Sequence, residues 1–192
     1  MSALDREGFL RVASTFYNVG WLEGEAFREA PETKRFQGAW KRALESHDKW
    51  QDIVERIGSE LPGMSVGDTT APYATAARRC CVYMVRLETS KSAEPHNVIV
   101  GLASVLVPYY HLYQIAVGSN HHRGFPQPRP RAGDEGSVAD LVARHIEQEM
   151  GYKEFPAEYE SIIVPEISVQ NVLPGRATLM DALFDTQRQN IP

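Results

Sequence analysis

The sequence predicts an α+β fold, an antiparallel sheet packed against helices in a single domain covering residues 1–192. Three observations point there. Two β-rich apolar runs, Asn97–Val107 and Tyr109–Val117, stand side by side with only Pro108 between them. Proline cannot donate a ladder hydrogen bond and marks a bend, so they read as two neighbouring antiparallel strands. Two other segments repeat apolar residues at three and four positions, the period of a helix with one buried face. The chain has 192 residues, of which 43% are hydrophobic and 23% charged. That is one domain's worth of chain, domains clustering near roughly 100–200 residues, with enough apolar material for a core.

In chain order, Gly8–Val19 mixes Phe9, Val12, Phe16, Tyr17 and Val19 with Arg11, Ser14 and Thr15, a composition that suits a half-buried opening strand. From Glu32 onward Phe36, Trp40, Ala43, Leu44, His47, Trp50, Val54 and Ile57 make one helical face ending near Gly58. Gly63–Thr70 is rich in small turn residues and reads as an exposed connection. Thr70 followed by Pro72 looks like a capped helix start, with Tyr73, Ala77, Cys81, Met84 and Val85 at helical spacing up to Glu88. The rival reading takes Cys80–Leu87 as a strand, since Val82, Tyr83 and Val85 favour strands. After the central strand pair, Gly118–Gly136 is a long loop rich in Gly, Pro and Arg, and long ordered loops often bind something. Ser137 with Asp140 reads as a capping box opening a helix with Val138, Leu141, Val142, Ile146 and Met150 on one stripe, stopped by Gly151. The pieces 162–164, 167–169 and 177–184 are short, apolar and punctuated by prolines, and should return to the sheet or its edge.

Composition excludes several classes. The longest apolar stretch, Val98–Tyr110, is broken by Gly101, Ser104 and Pro108 and falls short of the roughly 20 residues of a membrane span. The first residues lack the basic start and apolar run of a signal peptide, so a cytoplasmic location is expected. A net charge of −5 argues against direct nucleic-acid binding, which needs a basic surface. The two cysteines, Cys80 and Cys81, are adjacent, which disfavours both a disulfide between them and a thiolate metal cage. They are expected to be free, buried thiols. No metal or other cofactor is expected.

Catalytic signatures are missing: there is no GxSxG elbow, no GxxxxGK phosphate loop and no GxGxxG. His145 and Glu149 have i, i+4 spacing for two ligands on one helical face, but the third ligand and the surrounding metalloprotease motif are absent. Charge distribution says more. From Gly133 to Glu166 there are nine acids against two bases, a local charge of −7, which leaves the rest of the chain at +2. Such a segment is either a solvated face or a docking face for a basic partner. Glu147, Glu149, Glu154, Glu158 and Glu160 are the candidate contact charges, with Tyr152 and Phe155 as aromatic anchors.

Val107-Pro108-Tyr109-Tyr110-His111-Leu112-Tyr113, Gly151-Tyr152 followed by Phe155-Pro156, the step Val164-Pro165-Glu166 and the closing run Ala177–Phe184 together resemble the immunity protein 52 family. The resemblance covers mainly Asn97–Asp185. It implies a non-enzymatic bacterial antidote that binds and neutralises a cognate nuclease toxin with a restriction-endonuclease-like fold, and a sheet with helices on one side. No catalytic residue carries over. The basic, histidine-containing loop His121–Arg131 matches no family motif. The competing expectation is a small hydrolase using His111 or His121 with Asp181, which requires those groups to converge in one pocket.

Overall fold

The computed structural model describes residues 4–20, 22–84, 96–118, 124–169 and 172–189. The sheet is an antiparallel meander. Strands β1 (Ser65–Asp68), β2 (Ala77–Tyr83), β3 (His96–Ser104), β4 (Tyr109–Val117) and β5 (Gln127–Pro128) lie in that spatial order. A two-residue strand, β6 (Lys153–Glu154), joins the free edge of β4 in parallel.

The predicted strand pair is the centre of this sheet, with Leu102 opposite His111 and Val98 opposite Ile115. Its hairpin is closed by Ser104, whose Oγ accepts from the amides of Leu106 and Val107 at 3.1 and 3.3 Å, just before Pro108. Side chains alternate faces along a strand, and here both faces are apolar. Cys81, Val98, Val100, Leu102, Tyr109, Tyr113 and Ile115 enter one cluster with Phe9 and Ala13. Cys80, Val82, Ile99, Ala103, Tyr110 and Leu112 enter the other with Trp50, Ile53, Val142 and Ile146. Helices therefore cover both faces, α4 (His47–Glu60) and α5 (Gly133–Met150) on one, α1 (Arg6–Phe16) and α6 (Leu179–Leu183) on the other. The one-sided arrangement implied by the family resemblance is not what this chain adopts. Among the described residues no helix is long and apolar enough to cross a membrane.

Four expectations are corrected. Gly8–Val19 is not a strand: Asp5 caps α1 by accepting from the Gly8 amide at 2.8 Å, and Phe9 and Ala13 fall one helical turn apart on the buried side. The helix expected over 32–58 is two helices, α3 (Pro31–Glu45) and α4, broken at Ser46. Arg78 on β2 stands at this break and donates to the Ala43 carbonyl and to Ser46 Oγ, so it caps the carbonyl end of α3 from across the core. The Thr70–Glu88 helix is replaced by β2, the rival reading, while Gly63–Thr70 contains β1. Residues 85–88 lie outside the described set. Finally, α5 begins four residues before the expected capping box: Ser137 donates to the Gly133 carbonyl from inside the helix, and Asp140 pairs with Arg129. Gly151 does stop it, in the left-handed conformation at φ +69°.

The short C-terminal pieces form single bridges, Val19 with Ile167 and Ile163 with Thr178, and cover the α1 face of the sheet. The last one is helical: Thr178 and Asp181 close a capping box at the start of α6.

Gly101 on β3 sets how closely α5 approaches. A Cβ there would stand 3.0 Å from both Cys80 Sγ and Val142 Cγ1 and 3.3 Å from Leu112 Cδ2. Gly101→Ala is expected to destabilise the protein by about 1–3 kcal/mol through overpacking. Gly67→Ala on β1, where a Cβ meets nothing within 4 Å, should stay within about 0.5 kcal/mol of the parent. Urea unfolding of the two variants measures the contrast.

Candidate functional site

The turn at Gly151 sends the chain back along the start of β4. There Lys153 donates its amide to the Pro108 carbonyl at 3.2 Å and Phe155 donates to the Tyr110 carbonyl at 2.7 Å. This short parallel pairing sets Glu154 at one edge of the sheet, beside Tyr110. Tyr110 donates its hydroxyl to Glu147 Oε1 at 2.5 Å. Glu154 accepts from Arg129 at 2.8 Å and from Arg131 at 3.0 Å, and Arg129 reaches Asp140 at 2.6 Å with its other nitrogen. Burial, and then the hydrogen bond to Glu147, push the Tyr110 phenol well above its ordinary range, so it stays a donor.

The seven predicted contact residues divide. Glu147 and Glu154 meet around Tyr110 and Arg129. Glu160, half-buried and with its carboxyl raised by burial, lies 3.5 Å from His111 Nδ1. Glu158 projects from the single 3₁₀ turn Ala157–Tyr159, exposed and without a partner among the described residues. Glu149 turns to the other helix and pairs with Arg56 of α4 at 2.5 Å. Tyr152 is half-buried against the α4–α5 cluster, its phenol raised by burial. Phe155 is only 2% exposed and packs edge-on against Phe9 and Phe184 at ring distances of 5.0 and 5.3 Å. It belongs to the core and offers a partner no surface, which removes it from the anchor set.

Charge pairing also changes the arithmetic. Arg56, Arg129 and Arg131, none of them in the acidic segment, fold against it, and so does Glu60 through Arg144, which together cut its −7 to −5. Arg129 and Arg131 belong to the His121–Arg131 loop that sequence left without a role, and they serve here as clamps on Glu154. His121 lies outside the described residues.

The remaining chemical candidates have structural work. His145 pairs with Glu60 at 2.8 Å, so it and Glu149 turn to different partners on α4 instead of converging as ligands. His111 is stacked on Tyr113, with ring centroids 5.9 Å apart, and also lies against Phe184. Burial, and then the nearby Arg188, push its pKa down to about 3 despite the neighbouring Glu160, so the ring is neutral. Asp181 spends one carboxylate oxygen on the Thr178 amide and hydroxyl, at 2.9 and 2.8 Å. The two cysteines are free and buried, as expected, but on strand β2 and on opposite faces of the sheet. Burial pushes the Cys80 thiol up to about 12 and raises Cys81 as well.

A second surface feature was missed. A cleft of about 490 Å³ opens where the end of α1, α2 (Gly24–Glu29), α3 and the Tyr73–Ala76 turn meet. With α1 read as a strand and Tyr73 placed in a helix, nothing in the residue pattern brought these pieces together. Comparison with protein-family models, curated proteins and solved structures finds no match for this chain.

Two measurements check this chemistry. An unfolded histidine titrates near about 6.5, whereas folded His111 stays neutral down to about 3. The unfolded chain therefore takes up the proton first, and stability is lost as pH falls through that window. Glu160 and Asp185, whose carboxyls are raised by burial, act in the opposite sense. His111→Leu isolates the histidine's share: from pH 6 to pH 4 the parent should lose stability relative to the variant by up to about 1.4 kcal/mol per pH unit. Parallel stability curves would contradict a buried neutral ring. In the second, the native protein should leave a thiol reagent unreacted over minutes, with both cysteines titrating once denaturant is added.

Proposed function

We propose that this protein is an immunity protein, a cytoplasmic antidote that acts by binding and neutralising a nuclease toxin, not by catalysis. The observation that carries this reading is the carboxylate ledge beside β6. Glu147 and Glu154 meet around Tyr110 on one face of the β4 edge, Glu160 lies against His111 on the other face, Glu158 projects exposed from the turn that follows β6, and the segment still carries −5 after its partners from outside are counted. The resemblance of Asn97–Asp185 to the immunity protein 52 family supports the same reading.

The physical logic is competition for a basic surface. A nuclease that grips nucleic acid must present cationic side chains, because phosphate contacts dominate its affinity. A fixed negative ledge steers encounter with such a surface and selects against partners without one. Glu154 has a second duty, holding Arg129 and Arg131, so it organises the ledge. Of the five candidate acids, Glu158 alone has no side-chain partner among the described residues.

The test is to express the protein together with the toxin encoded by the neighbouring gene, asking for cell survival and for a stable complex between the purified chains. Survival with a nuclease toxin supports the proposal; a metabolic gene neighbourhood, or unprotected cells with a folded antidote, overturns it. Within that complex, Glu158→Lys should slow association on the order of threefold at low ionic strength, with the difference fading as salt rises. The melting temperature should stay where it was, since exposed charges contribute little to stability.

A further inference from the structure

The cleft missed by sequence is built around Asn18. Its backbone is pinned: the Asn18 carbonyl accepts from the Ser168 amide at 3.0 Å, and the Gly20 amide donates to the Glu166 carbonyl at 2.7 Å. The residue is only 7% exposed, and its side-chain amide nitrogen reaches Thr33 Oγ1 at 3.4 Å. The other end, Oδ1, is buried with no hydrogen-bond partner. Asn18 lines the cleft, and because buried acceptors are almost always satisfied, an orphan on a lining residue marks a place for an incoming donor.

The walls define that donor. Tyr17, Phe27, Phe36 and Tyr73 supply aromatic surface, while Glu23 and Asp181 are the charged residues of the lining, which includes no Lys, Arg or His among the described residues. The rim is apolar and open, with Leu22, Phe27 and Tyr73 between 38% and 48% exposed. Tyr73 is held there in the left-handed conformation at φ +64°, which bulky residues rarely adopt. Its ring leans on Trp40 at 6.0 Å, and Trp40 is anchored by its indole N–H to the Thr75 carbonyl at 2.7 Å.

We propose that this cleft receives one basic side chain and an adjoining apolar side chain from a segment of a protein partner, its N–H group satisfying Asn18 Oδ1, its charge facing Glu23 and Asp181 and its stem lying on the aromatic walls. An anionic group is repelled by the two carboxylates, and a purely apolar one leaves Asn18 unpaired. The open apolar rim suits a protein surface, where aromatic residues and arginine dominate contact energies. The cleft shares no residue with the β6 ledge, so it stands or falls independently of the proposed antidote function.

The experiment is an NMR titration of the whole protein with acetyl-Leu-Arg-Phe-amide, against peptides in which arginine is replaced by its neutral isostere citrulline or by glutamate. Saturable shifts at the Asn18 side-chain amide, Leu22, Phe27 and Tyr73 are expected with the arginine peptide, at least tenfold weaker binding with citrulline, and none with glutamate. Asn18→Leu should abolish the binding. If that variant does not fold, Phe27→Ala and Tyr73→Ala, each losing a half-exposed ring, should weaken it severalfold while leaving the melting temperature unchanged. Equal binding of the citrulline peptide, shifts confined to other surfaces, or no saturable shift with the arginine peptide would overturn the proposal.

Discussion

Burial of the central strands on both faces is the constraint on which the rest of this molecule depends. All but two residues of β3 are buried, as are seven of nine in β4, and β2 is nearly as enclosed. A sheet buried on both sides must be covered twice, and the chain spends α4 and α5 on one face and α1, α6 and the bridged C-terminal segments on the other. What remains for contact with other molecules lies at the margins: the β4 edge, only partly covered by β5 and β6, and the end of the sheet where α1 hands over to α2.

The charged groups inside this frame act as ties between layers. Arg78 reaches from β2 to the carbonyl end of α3, which both ends that helix and fixes the start of α4 over the sheet. Arg79, the next residue, points to the opposite face and meets Asp185, itself 1% exposed, beyond the end of α6 at 3.3 Å. Alternation along one strand thus sends two neighbouring arginines to lock opposite layers. Each is costly to bury alone and is held by oxygens supplied from the element it ties down. The β6 ledge is built the same way, with Arg129 and Arg131 holding Glu154 against the strand edge.

How much of this could be read from residues follows from the same physics. The strands β3 and β4 and the helix α5 were legible because a proline, a long apolar run and a glycine stop each leave a strong local mark. Strand β2 was legible only as the rival reading, because a strand buried on both faces shows no alternation, and Thr70 with Pro72 imitated a helix start. Helix α1 was hidden by its β-branched and aromatic residues, although Phe9 and Ala13 hold helical spacing and Asp5 supplies a cap. In the candidate site, the count of carboxylates was legible and their pairing was not. That Glu149 faces Arg56, and that Phe155 is core, depends on contacts between residues that lie far apart in sequence. The cleft around Asn18 was invisible for the same reason.

Native-state hydrogen exchange tests the two-sided core most directly. The amides of β3 and β4 pair across the middle of the sheet and feed both clusters, so Val98–Ala103 and Tyr110–Ile115 should exchange only through global unfolding, with opening free energies equal to the denaturant value. Amides in α4, α5 and α1 should reach that same limit in their buried turns. A separate, lower-energy opening in which the α1 and α6 face exchanges while α4, α5 and the central strands stay protected would show two independent layers and contradict the account.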